Sequence, residues 1–234
     1  DHVRIQAILG GMSIHEAWRI ARCMDELLEK LDYAFHSRYG FLTACPTNVG
    51  TGLRASVMIH LPALTHLRRM GKLAVDCGKI GLTVRGMFGE GSDSPGSLYQ
   101  ISNQVTLGQT EEELIEKVSG AALGLVRQEE GARDRILSER GPGLEDKVWR
   151  AWGLLRFSRV IEAREALELL SLVRMGSEMG ILPQVRVATL NALLLDIQKA
   201  HIQARSATEL SPEEIGRKRS EVLRKALATT GGES

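Results

Sequence analysis

Aromatic residues are scarce in this chain, and long apolar runs are missing. Phe, Trp and Tyr together make up 4% of the 234 residues. No apolar run approaches the roughly 20 residues that are needed to cross a bilayer. The run at Leu193–Leu195 is stopped by Asp196. The sequence therefore argues against a membrane-spanning segment, and we expect no membrane partner.

Neither sign of charge dominates the chain. Thirty Lys and Arg residues face 29 Asp and Glu residues, which leaves a formal net charge of +1. A nucleic-acid binder that is held by bulk positive charge is therefore not expected, although a local basic cluster can still hold phosphate. With 43% hydrophobic and 25% charged residues, the composition is that of a globular protein rather than a disordered one.

Cysteines are few and odd in number. Cys23, Cys45 and Cys77 have no short metal-ligand spacing, so we expect reduced thiols of a cytoplasmic protein, without a disulfide framework or a metal site. No secretory signal is visible, and the chain begins with Asp1 rather than Met. This start leaves open that a further N-terminal portion belongs to the protein.

The pattern of apolar residues changes along the chain and predicts two parts, an α/β part over 1–131 and a helical module over 132–234. Capping-box spacing, in which a hydroxyl residue precedes a glutamate by three positions, marks helix starts at Ser13 and Thr110. A third start is predicted at Ser211, an N-cap residue that is followed by a proline and an acidic first turn. Periodicity predicts helices at 14–31, 64–78 and 110–130, and strands at 55–61, 81–86 and 99–107.

The segment from Cys45 to Arg54 (CPTNVGTGLR) places a thiol at the mouth of a glycine-containing loop. Neighbouring hydroxyl and amide groups, among them Thr47, are able to polarise that thiol, which then acts as a nucleophile or lies beside a cationic substrate. The alternative is a buried structural cysteine beside a tight turn.

Three separated arginines, Arg4, Arg54 and Arg85, each begin or end a predicted strand or loop. Guanidinium groups that converge from different elements hold polyphosphates well, because the planar fork matches phosphate oxygens. Taken singly, each of them is equally compatible with a solvated surface position.

A second loop, Arg85 to Ser92 (RGMFGEGS), has glycines on both sides of Glu90. This carboxylate can accept hydrogen bonds from a cationic substrate or act as a base once the loop closes. The alternative is a solvated turn. The segment lacks the Gly-Lys-Ser/Thr of a phosphate-binding Walker loop.

These segments together resemble the phosphagen (guanidino) kinases, the ATP:guanido phosphotransferase family. The Cys45–Arg54 decapeptide resembles the family signature, and Arg85-Gly-x-x-Gly-Glu90 resembles its substrate-specificity loop. Asp1-His2-Val3-Arg4 is similar to the end of another conserved segment. The stretches RASVMIHLP (54–62) and YQISNQVTLG (99–108), together with the helical tail, look most like the bacterial protein-arginine kinase branch.

The resemblance implies an α/β (α+β) fold, with an antiparallel sheet flanked by helices as in the glutamine synthetase/guanido kinase-like catalytic domain, followed by a helical C-terminal module. It implies transfer of the ATP γ-phosphoryl group to arginine side chains of proteins, with Mg²⁺ neutralising phosphate charge. Cys45 and Glu90 would hold the guanidinium. The implied nucleotide site consists of Arg4, Arg54, Ala55, Ser56, Val57, Met58, Arg85, Gly86, Met87, Phe88, Gly89 and Glu90.

The sequence departs from the family pattern in two places. The family's other catalytic carboxylate immediately precedes the position of Asp1, so these 234 residues alone are expected to have weak or absent kinase activity. In the tail, the Arg-Asp-x-x-Arg-Ala motif of a phosphoarginine-binding regulatory site aligns with Ile215–Ser220, where only Arg219 survives. We therefore expect that phosphoarginine regulation is lost or altered.

The resemblance also implies partners. We expect protein substrates with exposed arginines and a homodimer, and consider an activator protein and protease or chaperone machinery as further partners in a cytoplasmic stress response. Two other functions stay open: a small-guanidine (phosphagen) kinase, and a non-catalytic regulatory fragment that binds phosphoarginine proteins.

Overall fold

The structure, a computed structural model, describes residues 3–87, 94–182 and 185–228. Two short 3-10 helices lie at Pro46–Asn48 and Pro95–Ser97. The strands are β1 (Phe35–His36), β2 (Gly40–Phe41), β3 (Ser56–His60), β4 (Leu82–Gly86) and β5 (Leu98–Asn103). The α-helices are α1 (Ile14–Glu26), α2 (Pro62–His66), α3 (Met70–Lys79), α4 (Glu111–Phe157), α5 (Ala163–Glu178), α6 (Val187–Asp196), α7 (Lys199–Ala204) and α8 (Pro212–Ala228).

The strands form two small antiparallel sheets. One pairs β1 with β2, and the other has the strand order β3-β5-β4, so that β5 lies between two strands that precede it in the chain. In the second sheet Leu82 lies opposite Asn103 and Gly86 opposite Tyr99. Helix α3 packs beside β4. The expected α/β fold with antiparallel strands flanked by helices is confirmed.

The described residues group into two compact units, and the first contains most of the sheet. It comprises the described parts of Asp1–Ile59, Arg68–Ser92 and Tyr99–Gln128. Its core is built from one face of the sheet, from α3 and from the first turns of α4. The buried apolar residues of this unit include Ala55, Leu73, Cys77, Leu82, Tyr99, Ile101, Leu114, Val118 and Ala122.

The second unit is mainly helical. It comprises the described parts of His60–Leu67, Asp93–Leu98 and Glu129–Ser234. Helix α5 packs against the Pro95–Ser97 turn, against α2 and against α6, while α8 packs against α6 and α7. Two short segments from the sheet region therefore group with the C-terminal helices. The buried apolar residues of this unit include Leu61, Leu64, Val148, Leu155, Leu170, Val173, Leu190, Leu193, Leu223 and Leu227.

One of the two predicted capping boxes is present. Glu113 N lies 3.1 Å from Thr110 Oγ1, and Thr110 N donates to the Glu113 carboxylate at 2.9 Å, just ahead of α4. Ser211 and Glu214 make the same reciprocal pair ahead of α8. The prediction at Ser13 is wrong, because its hydroxyl donates to Gly10 O.

The third predicted helix is much longer than 110–130. Helix α4 runs for 47 residues to Phe157 and passes through the Gly141-Pro142-Gly143 segment. The proline lacks an amide hydrogen, and the helix bends next to it, at Arg140, whose φ of −142° is non-helical. Two helical stretches therefore meet at this kink, next to the Gly141-Pro142-Gly143 segment.

Other helix boundaries also differ from the predictions. Helix α1 ends at Glu26 rather than near residue 31. The predicted helix over 64–78 is two helices, α2 and α3, separated at Leu67–Arg69, where Arg68 has a φ of +55°. Strand β5 ends at Asn103, short of the predicted 107, whereas β3 and β4 lie within one residue of their predicted ends.

None of the helices in the described residues combines the length and the apolar composition that a membrane span requires.

Candidate active site

The loop that begins at Cys45 has a defined backbone. Cys45 is the residue before the 3-10 helix Pro46–Asn48, and its carbonyl oxygen accepts the Asn48 amide at 2.9 Å. The same oxygen accepts a hydrogen bond from Thr43 Oγ1 at 2.6 Å. Because Pro46 carries no amide hydrogen, it suits the first position of this turn. The backbone thus fixes the direction in which the Cys45 side chain leaves the loop.

The Cys45 thiol is exposed, which excludes the alternative of a buried structural cysteine. Its Sγ lies 3.0 Å from Thr47 Oγ1. Hydrogen bonds from the Thr47 side chain and then the Thr47 backbone lower the pKa of Cys45, and the positive charge of Arg54 lowers it further. Each of these contacts favours the thiolate, which is the reactive form of a cysteine.

The far side of the loop is held by Thr106, a residue just beyond β5. Its hydroxyl lies 3.0 Å from Thr47 O and 2.8 Å from Val49 O. Gly50 comes so close to this segment that a Cβ would lie 2.4 Å from Thr106 O, and its φ is +114°. Glycine is therefore required at this position. The expected loop is thus a fixed structure.

Beyond the loop, Arg54 leads directly into β3. Arg54, Ser56 and Met58 are exposed, whereas Ala55 is buried and Val57 is half-buried, as side-chain alternation along a strand requires. Three of the five predicted nucleotide-site residues in this segment therefore present their side chains on one exposed face. Ala55 and Val57 face the other way.

Arg85 is exposed on β4, where it pairs with Gln100 of the central strand β5. Paired residues of antiparallel strands present their side chains on the same face. Gly86 and Tyr99, the next pair along, are both buried on the opposite face. Arg85 therefore lies on the polar face of this strand pair.

Strand β3 adjoins β5 on its other edge. A backbone hydrogen bond from Asn103 N to Ala55 O, 3.3 Å long, sets the register at one end of β3. A bond from Leu61 N to Ser97 O, 2.8 Å long, gives the same antiparallel register at the other end. Met58 then lies opposite Gln100, which lies opposite Arg85. Since neighbouring strands lie about 4.8 Å apart, β3 and β4 are separated by about 10 Å.

Asn103 is a residue of this site that the sequence reasoning missed. It is buried, its Oδ1 accepts the Ala55 amide at 2.8 Å, and its Nδ2 donates to Leu53 O at 2.9 Å. One side-chain amide thus fixes the backbone on both sides of Arg54. The signal in the sequence was an asparagine inside a predicted strand, where this residue type is depleted.

For the remaining predicted nucleotide-site residues, the structure gives fewer contacts or does not describe the position. Arg4 is exposed in a segment without regular secondary structure, and within the described residues no contact joins it to Arg54 or Arg85. Gly86 ends β4 and Met87 follows it. Phe88, Gly89 and Glu90 lie outside the described residues.

Arg219, the surviving residue of the predicted regulatory site, is buried in α8. Its Nε donates to Ile197 O at 2.9 Å and one of its terminal nitrogens donates to Ile161 O at 2.8 Å. Burial lowers the pKa of its guanidinium. Two of its donor groups are therefore committed to backbone carbonyls.

Mg²⁺ prefers carboxylate and other oxygen ligands. Over 3–87, 94–182 and 185–228, no three His, Cys, Asp or Glu side chains group together in a way that could hold a metal ion. These residues therefore do not fit a protein-held magnesium site.

A family model described as the ATP:guanido phosphotransferase C-terminal catalytic domain matches residues 1–132, more than half of the chain. The chain belongs to the ATP:guanido phosphotransferase family. A second model, described as the protein-arginine kinase McsB C-terminal domain, matches residues 142–234. The family resemblance of the Cys45 and Arg85 segments is thereby confirmed.

Several curated relatives are similar over almost the whole chain. A protein-arginine kinase of Halothermothrix orenii is 46% identical over 228 residues, which are 97% of this chain and 65% of that protein. One from Moorella thermoacetica is 45% identical over 229 residues, with coverages of 97% and 65%. The chain therefore spans about 65% of the length of these relatives.

Solved structures of similar proteins include two guanidino kinases. Lombricine kinase is 30% identical, with a TM-score of 0.43, over 49% of this chain and 32% of that one. The duplicated taurocyamine kinase of Schistosoma mansoni, solved with transition-state analogue components, is 36% identical, with a TM-score of 0.41, over 48% of this chain and 15% of that one.

Proposed function

We propose that this chain is the catalytic and C-terminal part of a protein-arginine kinase, which transfers the γ-phosphoryl group of ATP to arginine side chains of proteins. The observation that carries the proposal is the activated thiol of Cys45 in the same loop as Arg54, which leads onto the exposed face of β3. A group that binds a cation and a group that binds phosphate thus leave one rigid segment.

The thiolate of Cys45 suits a guanidinium substrate. A guanidinium group is a poor nucleophile, because it is protonated at neutral pH with a pKa above about 12. A neighbouring anion attracts it and fixes its orientation, so that one nitrogen can face the phosphoryl group. Thr47 supports this role because its hydrogen bonds lower the pKa of the thiol and so favour the thiolate. Glu90 would supply a second anion and assist removal of the proton.

Arg54 and Arg85 suit the phosphate groups of ATP. Both are exposed, on the same side of a three-stranded sheet, and within the described residues neither makes an ion pair. Unpaired guanidinium groups can therefore be neutralised by phosphate oxygens, to which they bind through two parallel hydrogen bonds. Ser56 and Met58 lie between them and would contact the nucleotide. Arg4 is proposed as a third phosphate ligand on the resemblance alone.

The reaction itself requires little covalent chemistry from the protein. ATP supplies the phosphoryl group; the P–O bond to ADP breaks, an N–P bond to the arginine nitrogen forms, and that nitrogen loses a proton. The side chains hold two substrates in line and stabilise the charge on the transferring group. We assign no step to Mg²⁺, since among the described residues no three His, Cys, Asp or Glu side chains form a group that could hold it.

The C-terminal part of the chain favours a protein substrate over a small guanidine. Residues 142–234 match a domain described from a protein-arginine kinase. Proteins with exposed arginines are the partners that follow from this proposal. The homodimer, the activator, the protease or chaperone machinery, the stress response and the cytoplasmic location stay predictions.

The experiment is a phosphotransfer assay of the intact protein with ATP and either an arginine-rich unfolded protein or free arginine. The proposal expects acid-labile phosphate on protein arginines, found by mass spectrometry at neutral pH, and little turnover of free arginine. Preferential phosphorylation of free arginine would support the small-guanidine alternative. ATP consumption without phosphoarginine would contradict the proposal.

A further inference from the structure

Strand β3 ends in a buried turn that contains two amide groups without local partners. Helix α2 begins at Pro62, which has no amide hydrogen, and the preceding residue, Leu61, has no side chain that can accept a hydrogen bond. Ala63 and Leu64 are fully buried. Their amides are among those that a helix N-terminus leaves without an internal acceptor. A buried amide without an acceptor is costly, so this turn requires an acceptor from elsewhere.

Glu129 of α4 supplies that acceptor. Its Oε1 accepts the Ala63 amide and its Oε2 accepts the Leu64 amide, both at 2.9 Å. Only 3% of Glu129 is exposed. A carboxylate at this position both satisfies the two donors and complements the positive end of the helix. Glu129 is thus a capping residue that comes from 65 positions farther along the chain.

The buried carboxylate is itself held by a chain of alternating charges. Arg133, one turn farther along α4, donates its Nε to Glu129 Oε1 at 2.8 Å and a terminal nitrogen to Glu178 at 2.7 Å. Arg174 donates to the other oxygen of Glu178 at 2.9 Å. Since two carboxylates face two guanidinium groups, the cluster offsets part of the desolvation cost of burying Glu129.

The residues beside this cap are also fixed. His60, the last residue of β3, has its Nε2 2.8 Å from Ser171 Oγ of α5. Leu61 N donates to Ser97 O at 2.8 Å. The end of β3 is therefore tied both to the C-terminal helices and to the Pro95–Ser97 turn, which directly precedes β5.

We propose that Glu129 is a positioning residue of the phosphotransfer site, which fixes the end of β3 and through it the exposed Arg54–Met58 face. The inference rests on the proposed function. Met58 precedes His60 by two residues in the same strand, so a shift of the capped turn would be transmitted along β3 towards Met58. Displacements near 1 Å in a catalytic array can cost about 100-fold in rate.

The direct test replaces Glu129 by glutamine in the intact protein. Glutamine has nearly the same size as glutamate but only one side-chain oxygen for the amides of Ala63 and Leu64. Its NH₂ group would face the other amide, which is also a hydrogen-bond donor. Glu130, the next residue, is exposed and gives the matched control E130Q. At a temperature at which both variants are fully folded, E129Q is expected to raise the KM for ATP about tenfold, while E130Q leaves it unchanged. A lower melting temperature with an unchanged KM would overturn the proposal.

Hydrogen exchange gives a second readout that does not depend on turnover. For E129Q we expect faster exchange in α2 and also in β3 and at 94–98, with α8 as the internal reference for global opening. Acceleration confined to α2, or equal acceleration in α8, would overturn the positioning role. If the wild type forms no phosphoarginine, the proposed function fails, whereas the exchange pattern still decides the role of Glu129.

A second variant covers the case in which E129Q does not fold. R133Q leaves both amide contacts of Glu129 in place and removes only the guanidinium that holds the carboxylate. It is expected to raise the KM for ATP and to accelerate exchange in β3 in the same direction, by less than E129Q. A folded R133Q protein with wild-type values in both measurements would overturn the proposal.

Discussion

The Sγ atom of Cys45 lies 3.0 Å from the Oγ1 atom of Thr47, two residues farther along the same loop. The thiol is exposed, so burial does little to oppose its ionisation. The contact favours the thiolate form of a sulfur that faces solvent, where a cationic substrate can reach it. Most of the proposed chemistry depends on this pair.

Replacement of Thr47 by valine is expected to raise the pKa of Cys45, because the side-chain hydrogen bond from Thr47 is the main cause of its lowering. The thiolate then forms at higher pH, so the pH–rate curve for iodoacetamide alkylation of Cys45 moves to higher pH. Thr43→Val is the control, since Thr43 bonds to the Cys45 carbonyl rather than to the sulfur. Equal curves for wild type and Thr47→Val would contradict this assignment.

Replacement of Arg54 or Arg85 by glutamine is expected to lower kcat/KM for phosphotransfer by about 100-fold, because each removes one charged contact to the transferring phosphates. The two changes together should cost less than the product of the single effects, since both act on one group. Steady-state kinetics measure this. Arg127, which is exposed on α4, gives the control Arg127→Gln. A loss of similar size in that control would contradict the prediction, because it would show that the net charge of the protein, rather than the location of Arg54 and Arg85, determines kcat/KM.

Replacement of Gly50 by alanine is expected to destabilise the protein by about 3 kcal/mol or more, because a Cβ at this position overlaps the Thr106 backbone and the φ is unfavourable. Gly108 also has a positive φ, but a Cβ added there would have no atom within 4 Å. Gly108→Ala should therefore cost only about 1–2 kcal/mol. Denaturant unfolding of both variants measures the two free-energy costs. The difference between them is the cost of the close contact with Thr106, because both positions share the positive φ. Equal costs would argue against the close contact.

His60 is expected to make stability fall in acid. Burial, and then the charges of Arg174 and Arg133, hold the pKa of His60 well below its ordinary value. Below pH of about 6.5 the unfolded chain binds a proton at this side chain and the folded chain does not, so the free energy of unfolding decreases as pH decreases.

Between pH 7 and pH 5 this decrease should exceed that of His60→Gln, by at most about 2 kcal/mol. Glutamine can keep the contact to Ser171 but does not titrate. Urea unfolding at both pH values measures the difference, and His66, whose pKa is lowered by burial, contributes equally to both proteins. Parallel pH dependence of the two proteins would contradict the prediction.

Phosphoarginine is expected not to bind at Arg219, because that side chain is buried and donates to Ile197 O and Ile161 O. Calorimetric titration of the intact protein with free phosphoarginine should reveal no saturable site that depends on the tail. Arg217 and Lys218 are exposed and are the other cations of the segment. A tight site that disappears in the double variant Arg217→Gln/Lys218→Gln would contradict the expectation.

Local signals in the sequence predicted local structure well. The Thr110–Glu113 box forms as expected, because both partners lie within one turn of each other, and α8 begins at Pro212, directly after the predicted N-cap Ser211. The Ser13 box fails even though the spacing is the same, because Glu16 binds Arg19 instead and the Ser13 hydroxyl makes no hydrogen bond to a helix amide. Spacing alone does not include that competition.

Contacts between distant residues were not predictable in the same way. The Cys45 loop and Arg54 were found because they lie in one short segment with a family pattern. Asn103 and Glu129 act on backbone groups 48 and 66 positions away, and nothing in either neighbourhood indicates the partner. The fold brings such pairs together, so their roles became visible only in the structure.

The decisive comparison is the amount of phosphoarginine that the intact protein and its Cys45→Ala variant form on a protein substrate with ATP. Mass spectrometry at neutral pH preserves the N–P bond and locates it. We expect phosphoarginine from the wild type and a rate about 100-fold lower from the variant. Equal rates from the two proteins, or phosphate found only on hydroxyl side chains, would contradict the proposed role of Cys45 in arginine phosphorylation.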